Sequence, residues 1–326
     1  MRALFVLGWL RAQRADGTTG RLIAAFEERG HQVAVADWLD LEADDQARVH
    51  ARVETGPSPL VDAVTQGRAH RATAALDAFD LVVLRVNPAD RYATWTERIP
   101  SPLAPFARLL AGPPLVNDPA GAERVAHPTW MLGVPAHLRP RMVVSRDLAR
   151  IRAFLGALGS PAVLKPASGY GGDGVLFVDS PMAPNLPAMV GMLARTGWVI
   201  AQERIDAALT DGDKRVLLWR GRPFMVRPGQ PSVYLRRRAE GDLRNNLSAG
   251  GTREACGLDA GDLAVIDAVG PRLVAEGVLL AGLDLAGGRL IEVNAWCPGG
   301  LESLALVYGV DPSARIVEDL ETHPLR

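Results

Sequence analysis

The sequence predicts an α/β fold at its amino end, an open parallel sheet, followed by α+β segments built around antiparallel strands. Three observations carry this. Short apolar runs at Leu4–Leu7, Val33–Ala36 and Leu81–Leu84 alternate with helix-like stretches, the rhythm of a parallel sheet. A glycine-rich stretch opens at Lys165 and lies between two strand-like runs. From Gly282 to Asn294 the chain reads as two apolar strands joined by a glycine turn.

The elements follow in order. The opening run Leu4 to Leu7 is short and no small-residue cleavage pattern follows it, so it reads as a buried first strand rather than a secretory leader. Thr18 or Thr19 is placed to cap the helix carrying Leu22, Ile23 and Phe26, and Gly30 to stop it. Residues 41 to 75 read as polar helix interrupted at Gly56-Pro57-Ser58-Pro59, and residues 1–118 together as one α/β domain. Prolines and basic residues from Pro119 to Pro140 mark a linker with a short helix. Strands are expected at Met142–Ser145, Ala162–Lys165, Leu176–Val178 and Trp198–Gln202, with helices at Asp147–Leu158 and Pro187–Arg195, so residues 119–200 form a linker and small central domain. Residues 201–326 hold a strand at Lys214–Trp219, a turn at Gly221-Arg222-Pro223, a basic stretch to Gly251, a helix at Ala260–Glu276 and the 282–294 hairpin.

Composition sets the outer bounds. At 326 residues and 48% hydrophobic, the chain is long enough for two or three domains with a sizeable core. A formal net charge of -1 gives no global attraction to nucleic acid or an anionic membrane, so any basic function is local. Cys256 and Cys297 show no metal-like pairing and no apolar run is long enough to span a bilayer, which favours the cytoplasm and reduced thiols.

In the hairpin, Asp284, Glu292 and Asn294 are the only acidic or amide side chains, and Glu292 and Asn294 share a strand face. A three-residue turn would bring Asp284 to that face, and a two-residue turn would send it to the other. Converging hard oxygens without histidine or cysteine suit a cation that keeps waters and is completed by phosphates; a solvated hairpin is the alternative. Lys165, closing a strand beside Gly169, Gly171 and Gly172, needs an anionic partner, and the loop amides can fold over phosphates. It matches neither a Walker loop nor a dinucleotide fingerprint. At Gln202-Glu203-Arg204-Ile205 a strand end can offer one amide and one carbonyl to adenine, with Ile205 against the ring. Asp213-Lys214-Arg215 and Arg236 to Arg244 bring forked cations that suit phosphate and carboxylate, although a basic run is more often a solvated face. Cys297 reads as a small apolar filler, and Trp95 and Trp130 as packing; Trp296 is the aromatic set apart for its place beside the hairpin.

The order of these parts, with Leu84-Arg85-Val86-Asn87-Pro88 and Val116-Asn117-Asp118-Pro119 upstream, resembles the ATP-grasp ligases, bacterial glutathione synthetase in particular, over nearly the whole chain. The resemblance implies an N-terminal pre-ATP-grasp domain, a small lid domain and an ATP-grasp domain. It also implies phosphorylation of a carboxylate by ATP to an acyl phosphate that an amine then attacks. Carried over by position, Lys165 holds phosphates and Gly169, Gly171 and Gly172 cover them. Gln202, Glu203 and Ile205 meet the adenine, and Asp213 the ribose. Arg215, Arg244 and Asn246 steady the transferring group. Asp284, Glu292 and Asn294 ligate one or two magnesium ions, with manganese as the alternative. Arg236, Trp296, Gly299 and Gly300 face the substrates.

There are two departures from the family pattern. The second phosphate lysine is missing from Glu123-Arg124-Val125-Ala126-His127, leaving Arg124 or His127 to replace it. The Ser-Pro-Thr loop of glutathione synthetases reads Ala295-Trp296-Cys297-Pro298-Gly299-Gly300-Leu301 here, so the carboxylate or amine substrate differs from γ-glutamylcysteine and glycine. The expectation is a cytoplasmic, homo-oligomeric, ATP- and Mg-dependent ligase of small-molecule carboxylates and amines, with no nucleic-acid or membrane partner. The alternative is an ATP-binding scaffold or regulatory protein without ligase turnover, and nucleic-acid binding through Arg236 to Arg244 is a weaker third.

Overall fold

The computed structural model describes residues 1–87, 112–167, 174–195, 197–239 and 250–325. The amino-terminal part comprises β1 (Arg2–Leu7), α1 (Thr18–Glu28), β2 (Gln32–Ala43), β3 (Val49–Thr55), α2 (Leu60–Thr65), β4 (His70–Ala75), β5 (Leu81–Arg85) and β6 (Leu115–Val116). These strands form a six-stranded sheet in the order β4-β3-β2-β1-β5-β6. The four strands from β2 to β6 in that order are parallel, as the apolar runs predict, and β3 and β4 are antiparallel additions. β1 is buried from Ala3 to Leu7 because both faces are covered. Phe5 and Leu7 meet Leu22, Ile23 and Phe26 of α1, while Leu4 and Val6 face Trp38, Val53 and Leu84.

Residues 41–75 hold more strand than helix, contrary to the expected helix, and only α2 is helical. Val49, Ala51 and Val53 are buried and Arg52 between them is exposed, a two-residue period hidden by the overall polarity of the stretch. After β6 comes α3 (Pro119–Ala126), which Asp118 caps through the amide of Ala120 at 2.8 Å, with proline in the first turn.

The second sheet is antiparallel and four-stranded, in the order β7-β10-β8-β9. It contains β7 (Met142–Ser145), β8 (Ala162–Pro166), β9 (Leu176–Val178) and β10 (Val199–Glu203), with α4 (Leu148–Leu158) and α5 (Leu186–Leu193) in the connections. Ala162, Leu164, Val199 and Ala201 pack on Ile151, Leu155, Val190 and Leu193 of the helices. The alternate residues Val163, Lys165, Ile200 and Gln202 face the other way, into a cleft.

The third sheet follows α6 (Asp206–Thr210) and consists of β11 (Asp213–Trp219), β12 (Arg222–Pro223), β15 (Val233–Arg237), β16 (Thr252–Ala255), β17 (Leu280–Ala286) and β18 (Arg289–Asn294). A separate small hairpin joins β13 (Met225–Arg227) to β14 (Gln230–Pro231). The strand order is β16-β15-β11-β17-β18, with β12 paired to β11. One face buries Val216, Leu218, Leu283, Leu285 and Val293 against α7 (Ala260–Ala275). That helix starts with a capping box between Asp259 and Asp262, and Lys214 reaches both carboxylates at 2.9 and 2.5 Å. Helices α8 (Leu301–Tyr308) and α9 (Ser313–Thr322) turn back so that Leu304, Ile316 and Leu320 share a core with Leu22 and Phe26 of α1. Among the described residues no helix is long and apolar enough to cross a membrane.

Candidate active site

The β17–β18 turn is the two-residue Gly287-Gly288, since Ala286 pairs with Arg289 and Leu285 with Leu290. Both glycines have positive φ, 55° and 68°, which such a turn requires. By itself this turn would place Asp284 and Glu292 on opposite faces, yet Asp284 pairs directly with Glu292. One extra residue, Ile291, forms a bulge that restores the phase. Asn294 lies opposite Gly282, so Asp284, Glu292 and Asn294 stand on one face. The row continues across the sheet through Arg215 to Tyr234, and the neighbouring row on that face pairs Asp213 with Arg236.

Four charges on this face lock together. Arg215 donates through Nε and Nη2 to Asp284 at 2.5 and 3.2 Å. Arg236 donates through Nε and Nη2 to Asp213 at 2.7 and 2.8 Å, and its Nη2 is also 3.0 Å from Asp284 Oδ2. Gly282 leaves the room that Arg215 fills, because a Cβ there would lie 3.3 Å from Nη1. The same Nη1 donates to the Gly299 carbonyl at 3.2 Å. Burial works against ionisation of Asp284, but the Arg215 and Arg236 guanidiniums hold its carboxyl down at about 2. Burial pushes the Asp213 carboxyl up despite Arg236, and it pushes Glu292 up as well, with Lys165 the main opposing charge. Among the described residues the Glu292 carboxylate makes no hydrogen bond, and Asn294 Nδ2 is buried without a partner.

A cleft of about 200 Å³ separates this face from the four-stranded sheet. Lys165, Ile200, Gln202 and Glu203 form one wall, Ile291 and Glu292 the other, with Asp213, Arg236 and Asp284 between them. Gln202 is buried with its Oε1 unpartnered. The Glu203 amide donates to the Arg141 carbonyl at 2.8 Å and the Arg204 amide to the Pro161 carbonyl at 3.0 Å. The Glu203 carboxylate accepts from the Arg141 amide at 3.0 Å and from Arg289 Nη1 at 2.9 Å. Burial opposes charge on Glu203, but these two donors hold its carboxyl below the ordinary value.

Residues 131–309 match the family model described as the prokaryotic glutathione synthetase, ATP-grasp domain. The chain belongs to the prokaryotic glutathione synthetase ATP-grasp family. The glutathione synthetase of Synechococcus elongatus is 32% identical over 326 aligned positions that cover 93% of each chain. That of Bradyrhizobium diazoefficiens is 29% identical, covering 94% of this chain and 93% of its own. Among solved structures, D-cycloserine synthetase DcsG shares the fold with a TM-score of 0.66 at 19% identity, covering 98% of this chain and 99% of its own. The RimK domain ATP-grasp protein of Sphaerobacter thermophilus does so with a TM-score of 0.59 at 21% identity, covering 98% of each. The ATP-grasp fold therefore extends over the whole chain, and the protein is an ATP-dependent ligase forming C–N bonds.

In this member of the glutathione synthetase family, Gly169, Gly171, Gly172, Arg244 and Asn246 lie outside the described residues, as does Trp95. Ile205 is buried at the cleft edge. Trp296 is wedged between the core over α7 and that of the amino-terminal sheet. Gly300 has φ 138°, and Leu217 and Tyr234 stand 3.3 Å from where a Cβ would be. Within the basic run, Arg236 belongs to the buried network, Arg237 pairs with Glu254, and Arg238 donates to the Leu209 carbonyl. Arg124 turns to Glu276 at 2.6 Å, whereas His127 lines the cleft. Trp130 carries Arg272 over its ring at 4.4 Å.

Three residues outside the expected site tie this family site together, one of them, Thr18, in a role other than the expected cap of its own helix. Asn117 donates to the carbonyls of Leu280 and Ala295, both at 2.7 Å, and accepts from the amides of Leu279 and Leu280, both at 2.8 Å. It thereby staples the open end of the hairpin. Thr18 caps α8 rather than its own helix, accepting from the amides of Gly300 and Leu301 at 2.9 and 3.1 Å and donating to Glu302. Arg85 is buried and donates to Thr19 Oγ1 and the Pro298 carbonyl at 3.2 and 2.9 Å. Asn117 and Arg85 stand in the motifs that carried the resemblance; their partners are too distant in sequence for local spacing to reveal.

Proposed function

We propose that this chain is an ATP- and magnesium-dependent carboxylate–amine ligase that activates a small-molecule carboxylate as an acyl phosphate. One observation carries the reading: Asp284, Glu292 and Asn294 share the hairpin face that confronts Lys165 across a cleft ending at the strand exit Glu203–Ile205. The Glu203 amide is already engaged, so the groups offered to adenine are its carbonyl and the Ile205 amide, with Gln202 Oε1 beside them. Lys165 meets the phosphates under the Gly169 to Gly172 loop, and Asp213 lies toward the ribose. His127 is the second donor on the phosphate side in preference to Arg124, because it lines the cleft whereas Arg124 is paired with Glu276.

The donor set fits magnesium. All its groups are hard oxygens, and Glu292 is uncommitted by hydrogen bonds. Among the described residues no three histidine, cysteine or acidic side chains cluster, so the set relies on Asn294, waters and phosphate oxygens. Asp284 joins it by sharing its oxygens with Arg215 and Arg236. A bound magnesium would neutralise charge on the phosphates. Arg215, with Arg244 and Asn246, steadies the transferring phosphoryl group and the carboxylate, a task of positioning that needs no protein nucleophile. Arg236, Trp296, Gly299 and Gly300 shape the space for the two substrates, and the loop from Ala295 to Leu301 is where the carboxylate or the amine is expected to depart from that of glutathione synthesis.

The test is substrate-dependent ADP release over a panel of carboxylates and amines. Glu292→Ala is expected to keep the native circular dichroism and lower ADP formation roughly 10²–10³-fold. Unchanged turnover would remove Glu292 from the mechanism.

A further inference from the structure

The chain enters the four-stranded sheet at Arg141–Met142 and leaves it at Glu203–Arg204. These two crossings lie side by side, since Gln202 pairs with Met142 and the Glu203 amide donates to the Arg141 carbonyl. Two adjacent strands linking two bodies are the geometry of a hinge. The hairpin tip is seated against it. A Cβ at Gly287 would lie 3.2 Å from Ala207 Cβ and 4.0 Å from Ile205 Cγ2, and one at Gly288 would lie 3.2 Å from Gly261 Cα at the start of α7. Arg289, the first residue after the turn, places Nη1 2.9 Å from Glu203 Oε1, while Glu203 Oε2 accepts from the Arg141 amide at 3.0 Å. One carboxylate thus joins the entry, the exit and the hairpin.

We propose that the Glu203–Arg289 ion pair is a positioning latch that fixes the four-stranded sheet relative to the β17–β18 hairpin. It thereby sets the span between the adenine end of the cleft at Glu203–Ile205 and the phosphate end at Glu292. The inference rests on the nucleotide reading of the cleft. The Arg289 and Glu203 side chains are 30% and 20% exposed, and a single pair at that depth adds little to global stability. Its loss belongs in nucleotide affinity rather than in unfolding.

The experiment uses the full chain, with ADP and magnesium as the titrated probe, urea unfolding as the control, and ADP release for steady-state constants. Arg289→Met is expected to weaken ADP binding and raise the KM for ATP by about tenfold, because a small misplacement of two binding ends is costly. The unfolding midpoint and the KM of the other substrates stay unchanged, and amide exchange in residues 142–203 quickens. Arg289→Lys is expected to remain within about twofold of wild type, since an ammonium can make the single contact to Oε1. The latch is overturned if Arg289→Met binds ADP like wild type, if methionine and lysine variants lose equally, or if all constants fall together with the unfolding midpoint. A wild-type chain that binds no ADP overturns the nucleotide reading and the latch with it; ADP binding that survives Arg289→Met overturns the latch alone.

Discussion

On the hairpin side of the cleft Arg215, Arg236, Asp213 and Asp284 satisfy one another, and Asn117 pins the base of the two strands. On the four-stranded side Gln202 Oε1 is buried without a partner, and Lys165 stands among Val163, Phe177 and Ile200. The difference assigns the walls separate tasks. The first is organised before any ligand arrives, as electrostatic stabilisation of a developing charge requires. The second leaves the buried Gln202 acceptor unmet, which is costly unless an entering group donates to it.

If the hairpin wall is rigid through its own charge balance, removing one member should break it hardest. Asp284→Asn takes the carboxylate partner from buried Arg215 and one of the two from Arg236, and is expected to lower the unfolding free energy by about 3–5 kcal/mol in urea titration. A loss below 1 kcal/mol would mean that water reaches this face freely and that the contrast between the walls is false. Asn117→Ala tests the staple. Four main-chain groups lose their partner at once, and a cost of about 2–4 kcal/mol is expected, with faster amide exchange in Leu279 and Leu280. The smallest effect lies on the opposite face of the same sheet, where the Lys214 hydrogen bond holds the exposed Asp259 carboxyl down at about 2. A depressed folded value stabilises above the unfolded value of about 3.9 and fades as the pH falls toward about 2. Asp259→Asn should therefore lower stability slightly above the unfolded value and converge with wild type as the pH falls toward about 2, which flattens the acid limb in that window. A parallel shift at every pH would show that the cap, rather than the charge, matters there.

Much of this was legible in the sequence where local periods decide. The strand Met142–Ser145 has the expected bounds, and α7 and the hairpin differ by a residue or two. In residues 41–75 the overall polarity hides the alternation of Val49, Ala51 and Val53, so the strand there is not legible from composition. The bulge at Ile291 has no sequence mark, since an extra residue in a strand looks like any other. The roles of Asn117, Thr18 and Arg85 depend on partners such as Leu280, Gly300 and Pro298 that only the tertiary fold brings near, up to 282 residues away. Local patterning finds the elements of this site; the ties between them are visible only in three dimensions.

The bulge also governs how this hairpin can change length over time. Its surplus residue sits in the strand rather than in the turn, so Asp284 and Glu292 keep their pairing through an irregularity confined to Ile291. A lineage that loses that one codon straightens β18 and still presents both carboxylates together, giving up only an aliphatic contact to the cleft. Loss of a residue from the two-glycine turn has no such remedy, because one strand must roll over to pair again. Between Asp284 and Glu292 the shared face is therefore more sensitive to a deleted residue than to a substituted one, except at position 291.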